Sequence, residues 1–220
     1  MAITKKPIKF AINLKRSAVV VVDMQNVFAH PDGTIFVEAT KKIVPKIQDL
    51  TKVAKQAGVP IIYLRHVVQG DGTDTGRMKD IVPNIDQMLQ NGSWNVEIIN
   101  SLTPEVDDII VDKPFFGGFT GTDLDTILRG KDIDTIIISG TLTNICCETT
   151  ARQAVEREYK VIFLSDGTAA GDKPDMGWGP VSAELNQQVT LINLASTFCQ
   201  VSPTNQIVSE IKENSKLLTT

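Results

Sequence analysis

Short apolar runs alternate with stretches whose apolar residues recur at helical spacing. Residues 18–22, 60–64, 109–111, 135–139 and 161–164 read as five strands, with 198–201 as a short sixth. Between them, residues 40–57 place Ile43, Ile47, Leu50 and Val53 on one helical face. Pro45 marks an alternative start for that helix, because proline fits a first helical turn best. A short helix at 121–128 carries Leu124, Ile127 and Leu128, and further helices are expected at 145–158, 180–196 and 202–214. Ser202 and Pro203 suit the cap and first position of the last one. The polar tail at 212–220 is expected to be loosely ordered. Strands alternating with helices predict an α/β protein, a mostly parallel sheet covered by helices on both faces. Residues 67–106 break the rhythm. They have little strand character and hold Gly70, Gly72, Gly76, Gly92 and Trp94, so they read as an insertion that partly covers a site.

Composition narrows the class. The 220 residues suit one domain, 1–220, with room for a sizeable core. A net charge of −4 gives no electrostatic reason to bind nucleic acid or an anionic membrane. Three cysteines, two of them adjacent, do not make a disulfide framework and point to a reducing compartment. Lys5, Lys6 and Lys9 are followed by no apolar segment of signal-peptide type, and no apolar run approaches a bilayer span. The expected location is the cytoplasm.

The candidate chemistry lies at strand ends, where parallel α/β sheets bind ligands. Gly140-Thr141-Leu142-Thr143-Asn144-Ile145-Cys146 follows an apolar run and leads into a helix. A cysteine at a helix start feels the positive end of the dipole, which favours thiolate. Asp23 ends the first run, and Lys113 lies just past the third. One crevice can hold all three. Taken singly, Asp23 also reads as a turn residue, Lys113 as a solvated lysine and Cys146 as a small core residue. The two histidines, His30 and His66, have no evident partner motif, which favours an Asp–Lys–Cys set over a Cys–His dyad.

Three motifs occur in order here: Asp-x-Gln from Asp23, Lys-Pro-x-x-Gly-x-Phe from Lys113, and Gly-x-x-Thr-Asn-x-Cys from Gly140. In this order the chain, from about residue 17 to about 208, resembles the isochorismatase-like cysteine hydrolase superfamily. Its look is nearest to the ureidoacrylate, biuret and N-carbamoyl amidohydrolases. The resemblance implies a Rossmann-like three-layer α/β/α fold with six strands in order 3-2-1-4-5-6. It implies Cys146 as nucleophile, Asp23 as general base and Lys113 as the group that stabilises charge. It also implies a cis peptide between Thr141 and Leu142, with the Leu142 and Cys146 amides as oxyanion hole. Nicotinamidases of this superfamily hold zinc with one Asp and two His. Only His66 follows the second strand here, so no catalytic metal and no cofactor are expected. Gln25, Phe28, Trp94, Phe119, Thr143 and Asn144 are candidates to line the pocket, with Thr143 and Asn144 equally suited to capping the helix. Arg65 and Arg77 are candidate partners for an anionic substrate.

The function expected is metal-independent hydrolysis of a linear C–N bond in a small amide or ureido compound, through a thioester. The alternatives are vinyl-ether cleavage of isochorismatase type, whose enzymes generally carry Gly at the position of Cys146, and a silent binding protein on the same fold. The superfamily also implies a homodimer or homotetramer.

Overall fold

The computed structural model describes residues 6–217. Six strands form one sheet: β1 (Ser17–Val22), β2 (Ile61–His66), β3 (Ile109–Lys113), β4 (Thr135–Thr141), β5 (Lys160–Ala169) and β6 (Gln200–Ser202). The order is β3-β2-β1-β4-β5-β6, and every neighbouring pair is parallel. β1 shows why the sheet is central. Its four consecutive valines are β-branched, favour extended backbone and are wholly buried. Val19 and Val21 face one core, while Ala18, Val20 and Val22 face the other.

Among the described residues eight α-helices accompany the sheet: α1 (Asn26–Ala29), α2 (Thr40–Gln56), α3 (Met78–Ile81), α4 (Ile85–Met88), α5 (Leu124–Gly130), α6 (Glu148–Val155), α7 (Ala183–Thr197) and α8 (Thr204–Leu217). α2 and α8 bring Ile43, Ile47, Leu50, Ile207 and Ile211 to the first core. α5, α6 and α7 bring Leu124, Leu128, Ala151, Ala154 and Leu194 to the second. The layers are α/β/α, as the alternation of elements predicts.

Several boundaries differ from the sequence reading, each for a local reason. β2 and β3 each run two residues past their apolar stretches, so His66 and Lys113 are strand residues whose chemistry hides them from hydropathy. Pro45 lies inside α2, and the helix starts at Thr40. α7 starts at Ala183, not 180, because Lys173 and Val181 pair antiparallel and Ser182 Oγ caps the helix through Leu185 N. α8 starts at Thr204, and its cap is not Ser202. Asp166 Oδ1, from β5, accepts 2.7 Å hydrogen bonds from both the N–H and the hydroxyl of Thr204. That helix continues to Leu217, so residues 212–217 of the expected loose tail are helical, and 218–220 lie outside the described residues.

The insertion at 67–106 is more ordered than its glycines suggest. It holds α3, α4 and two 3-10 turns, Trp94–Val96 and Asn100–Leu102. Val67, Val68, Met78, Ile85, Leu89 and Val96 close a third apolar cluster over Val27 and Phe28 of α1. This cluster caps the loops that leave the carboxyl end of β1.

Candidate active site

The carboxyl ends of β1 to β4 converge. Asp23 follows β1 with φ of 49°, in the left-handed region that asparagine and aspartate tolerate best, and its N–H donates to Leu64 O at 2.9 Å. Gly140 of β4 lies against the Val22 backbone with φ of 115°, where a Cβ has no room. This contact brings the end of β4 against the end of β1. The Thr141–Leu142 peptide is cis. The next five residues, Thr143–Cys147, form a π turn closed by Cys147 N donating to Leu142 O at 3.2 Å. Such turns inside or beside helices recur at functional sites. Thr150 of α6 then ties two motifs together: its hydroxyl donates to Cys146 O at 2.7 Å and accepts from Gly118 N at 3.0 Å.

Lys113 ends β3 and is completely buried. Its Nζ lies 2.9 Å from Asp23 Oδ2 and donates to Phe115 O at 3.1 Å. The Asp23 contact is an ion pair by distance, yet neither carboxylate oxygen has a well-aligned hydrogen bond. The Cys146 thiol packs against both groups. The three residues predicted as one set are thus together, with Cys146 the most exposed at 4%.

Burial decides the electrostatics. It raises the Asp23 carboxyl above the usual carboxylate range, against the pull of Lys113. Burial alone lowers Lys113, but Asp23 and Cys146 beside it outweigh that and raise it, so the ammonium persists. Burial, then the negative charge of Asp23, raises the Cys146 thiol, with Lys113 opposing. Burial thus opposes the pull toward thiolate that the helix start exerts. A helix end contributes only about 1 kcal/mol toward the charged form. Cys147 is also buried, and its thiol is likewise raised well above its ordinary value, chiefly by burial.

His66 is a residue the sequence reading set aside for want of a partner motif. It ends β2, pairs in register with Lys113, and is 2% exposed. Its Nε2 has no partner, and Phe116 packs edge-on to its ring at 5.9 Å. Burial and then the Lys113 cation hold its pKa well below 6.5, so the ring is neutral. Ligand atoms of Asp23, His66 and Cys146 all lie within 4.8 Å of one another. The signal the sequence held was its place directly after the second apolar run, where it was set aside for want of a second histidine.

The pocket candidates divide. Gln25 is fully buried and committed to backbone: Nε2 donates to His66 O and Val96 O, and Oε1 accepts from His66 N. It clamps β2 to the insertion, and both its N–H donors are used. Phe28 belongs to the third cluster. Phe119 packs on Tyr159 and under the Arg157 guanidinium, a packing role on the second core. Trp94 is 45% exposed and meets His30 edge-on at 5.0 Å. Thr143 Oγ1 and Asn144 Oδ1 are buried without partners, and neither side chain caps the π turn. Arg65 is forked onto Asp112 at 2.7 and 2.8 Å, and Arg77 pairs with Asp80 at 2.8 Å. Both candidate anion partners are already occupied by carboxylates.

Comparison with known proteins places this geometry. Residues 17–206 match the isochorismatase domain family. A cysteine hydrolase from Pseudomonas syringae pv. phaseolicola 1448A superposes with a TM-score of 0.95 at 51% identity, covering 96% of this chain and 100% of that one. The ureidoacrylate amidohydrolase RutB of Methylobacterium radiotolerans is 31% identical over 182 residues, 74% of this chain and 70% of the relative. An N-carbamoylsarcosine amidase from Thermoplasma acidophilum has a TM-score of 0.69 at 25% identity, over 86% and 97% of the two chains. Fold and site together define a parallel α/β hydrolase with a cysteine at its crevice. The chain belongs to the isochorismatase-like cysteine hydrolase superfamily.

Proposed function

We propose that this chain is a metal-independent amidohydrolase that cleaves a linear C–N bond of a small amide or ureido compound through a thioester on Cys146. The observation that carries this reading is the buried meeting of Asp23, Lys113 and Cys146, with Lys113 Nζ 2.9 Å from Asp23. Similarity to an amidohydrolase and to an N-carbamoylsarcosine amidase supports the bond class.

In this mechanism Cys146 Sγ attacks the substrate carbonyl carbon as Asp23 takes its proton. The thiol rests protonated, so proton removal accompanies attack, and a carboxyl raised by burial is a stronger base for it. The carbonyl oxygen gains negative charge, held by the Leu142 and Cys146 amides and by the Lys113 ammonium nearby. Asp23 passes its proton to the departing nitrogen as the C–N bond breaks. It then takes a proton from water as that water attacks the thioester, and returns the proton to the departing sulfur, so that Cys146 leaves as a thiol and Asp23 is again a carboxylate. Retention of cysteine at position 146 favours this route over vinyl-ether cleavage.

Wild type and Cys146→Ala, offered ureidoacrylate, biuret, N-carbamoyl amino acids, maleamate and nicotinamide, separate the readings. Ammonia release by wild type, lost in the variant, is expected. Release that persists in Cys146→Ala refutes the covalent route, and no release from any substrate favours the silent fold.

The reading includes cytoplasmic location, supported by three free cysteines; among the described residues no helix is long and apolar enough to cross a membrane. It also includes a homodimer or homotetramer. Leu185, Val189 and Ile192 of α7 form an exposed apolar stripe, 48–58% accessible, consistent with burial by a second copy. Light scattering that returns the mass of one 24.0 kDa chain at micromolar concentration rejects it.

A further inference from the structure

We propose that the crevice is also an inhibitory binding site for a thiophilic divalent cation of the zinc type, held by Cys146 Sγ, His66 Nε2 and an Asp23 carboxylate oxygen. The donor set is the first argument. One sulfur, one imidazole nitrogen and one carboxylate oxygen suit zinc, whereas magnesium and calcium require shells of oxygen. Three protein ligands also leave a fourth position for water, so no further residue has to be found.

The second argument is geometric. The three donor atoms lie within 4.8 Å of one another. Zinc with bonds of about 2.0–2.3 Å sets its tetrahedral donors about 3.3–3.8 Å apart. Closing the difference needs a movement of about 1 Å, within reach of side-chain rotation. Asp23 can keep Oδ2 on Lys113 and offer Oδ1, which accepts no well-aligned hydrogen bond. His66 supplies the third argument. Its Nε2 is a buried nitrogen without a hydrogen-bond partner among the described residues. A buried polar atom left unpaired costs about 1–3 kcal/mol, so the site gains by finding an acceptor for that lone pair.

Binding forms the zinc–sulfur bond as the Cys146 S–H bond breaks, and the proton leaves to buffer with no change of oxidation state. The Lys113 ammonium opposes the incoming charge, so the site is reversible rather than structural. Occupancy removes both the nucleophile and the base from use, which makes the cation an inhibitor. The inference goes beyond the proposed reaction and is tested without turnover, so failure of one does not entail failure of the other.

The experiment uses the full chain with Co²⁺ and Zn²⁺ as probes. Cobalt is expected to give a sulfur-to-metal charge-transfer band that saturates at one ion per chain and disappears in Cys146→Ser. Zinc is expected to block alkylation of Cys146 in wild type, with EDTA restoring it, and to bind His66→Gln at least about tenfold more weakly. Absence of the band in wild type overturns the proposal, as does a band that persists in Cys146→Ser or equal zinc affinity in a folded His66→Gln. Should that variant not fold, the wild-type stoichiometry and alkylation block decide alone.

Discussion

Two successive register positions between β2 and β3 show how one strand pair serves two different purposes. Arg65 lies opposite Asp112, and His66 lies opposite Lys113. Because strand side chains alternate, the first pair faces outward and the second faces the core. The outer pair is complete in itself, a forked ion pair with side chains 24% and 43% exposed. The inner pair is not, since Lys113 and a neutral imidazole cannot neutralise each other. Lys113 instead reaches past β2 to Asp23 at the end of β1. The outer pair is supported by water and holds two strands together. The inner one is cut off from water, so its charge has to be matched by a residue on another strand, and the resulting cluster is chemically tense.

The largest effect follows from that tension. Lys113→Met leaves Asp23 buried beside a thiol with no cation. Removing one partner of a buried pair typically costs about 3–5 kcal/mol, and this variant is expected to unfold at correspondingly lower denaturant. Adding Asp23→Asn removes the stranded charge while keeping a residue that tolerates the left-handed backbone there, and the double variant should regain most of the lost stability while remaining inactive. Equal stability of Lys113→Met and wild type shows that the inner charge is not held by the fold as argued.

His66 gives the next effect, and its sign is fixed. Its folded pKa lies well below 6.5, so the unfolded chain takes up a proton first as pH falls. Folding stability therefore declines below about pH 6.5, at a limiting slope near 1.4 kcal/mol per pH unit, and levels off below the folded pKa. Other groups also change protonation as the pH falls, so the informative quantity is the difference between wild type and His66→Gln. Urea midpoints from pH 7 down to pH 5 should converge, with wild type losing more. Parallel profiles contradict a buried neutral imidazole.

How legible these regions were in the sequence follows from where their partners lie. The sheet was readable because valine and isoleucine runs report burial directly, and the strand order follows once the family is recognised. Asp23, Lys113 and Cys146 were readable because each sits inside a local motif at a strand end. His66 was not, since nothing beside it in the chain marks it, and its neighbours Asp23, Lys113 and Cys146 come from three other segments. The same holds for the cap of α8, supplied by Asp166 from 38 positions away. Gln25 was legible as part of a motif but not as a clamp, because its three backbone partners belong to β2 and the insertion. The balance of charge at Cys146 was not legible, because a sequence shows the helix start and not the burial that opposes it.

The outer pair provides the smallest effect and the control for the others. Arg65→Ala removes a forked contact to Asp112 that is geometrically better than the Asp23–Lys113 contact. If hydrogen-bond geometry set the energetics, this substitution would cost more than Lys113→Met. If access to water sets them, the freed Asp112 is simply hydrated and the loss stays at about 0.2–1 kcal/mol. Raising the salt from 0.1 M to about 1 M should shrink even that, because screening shortens from about 10 Å to about 3 Å. The buried pair should respond far less to the same change. A loss for Arg65→Ala that equals the loss for Lys113→Met, or an equal salt response in the two, would mean that burial is not what separates them.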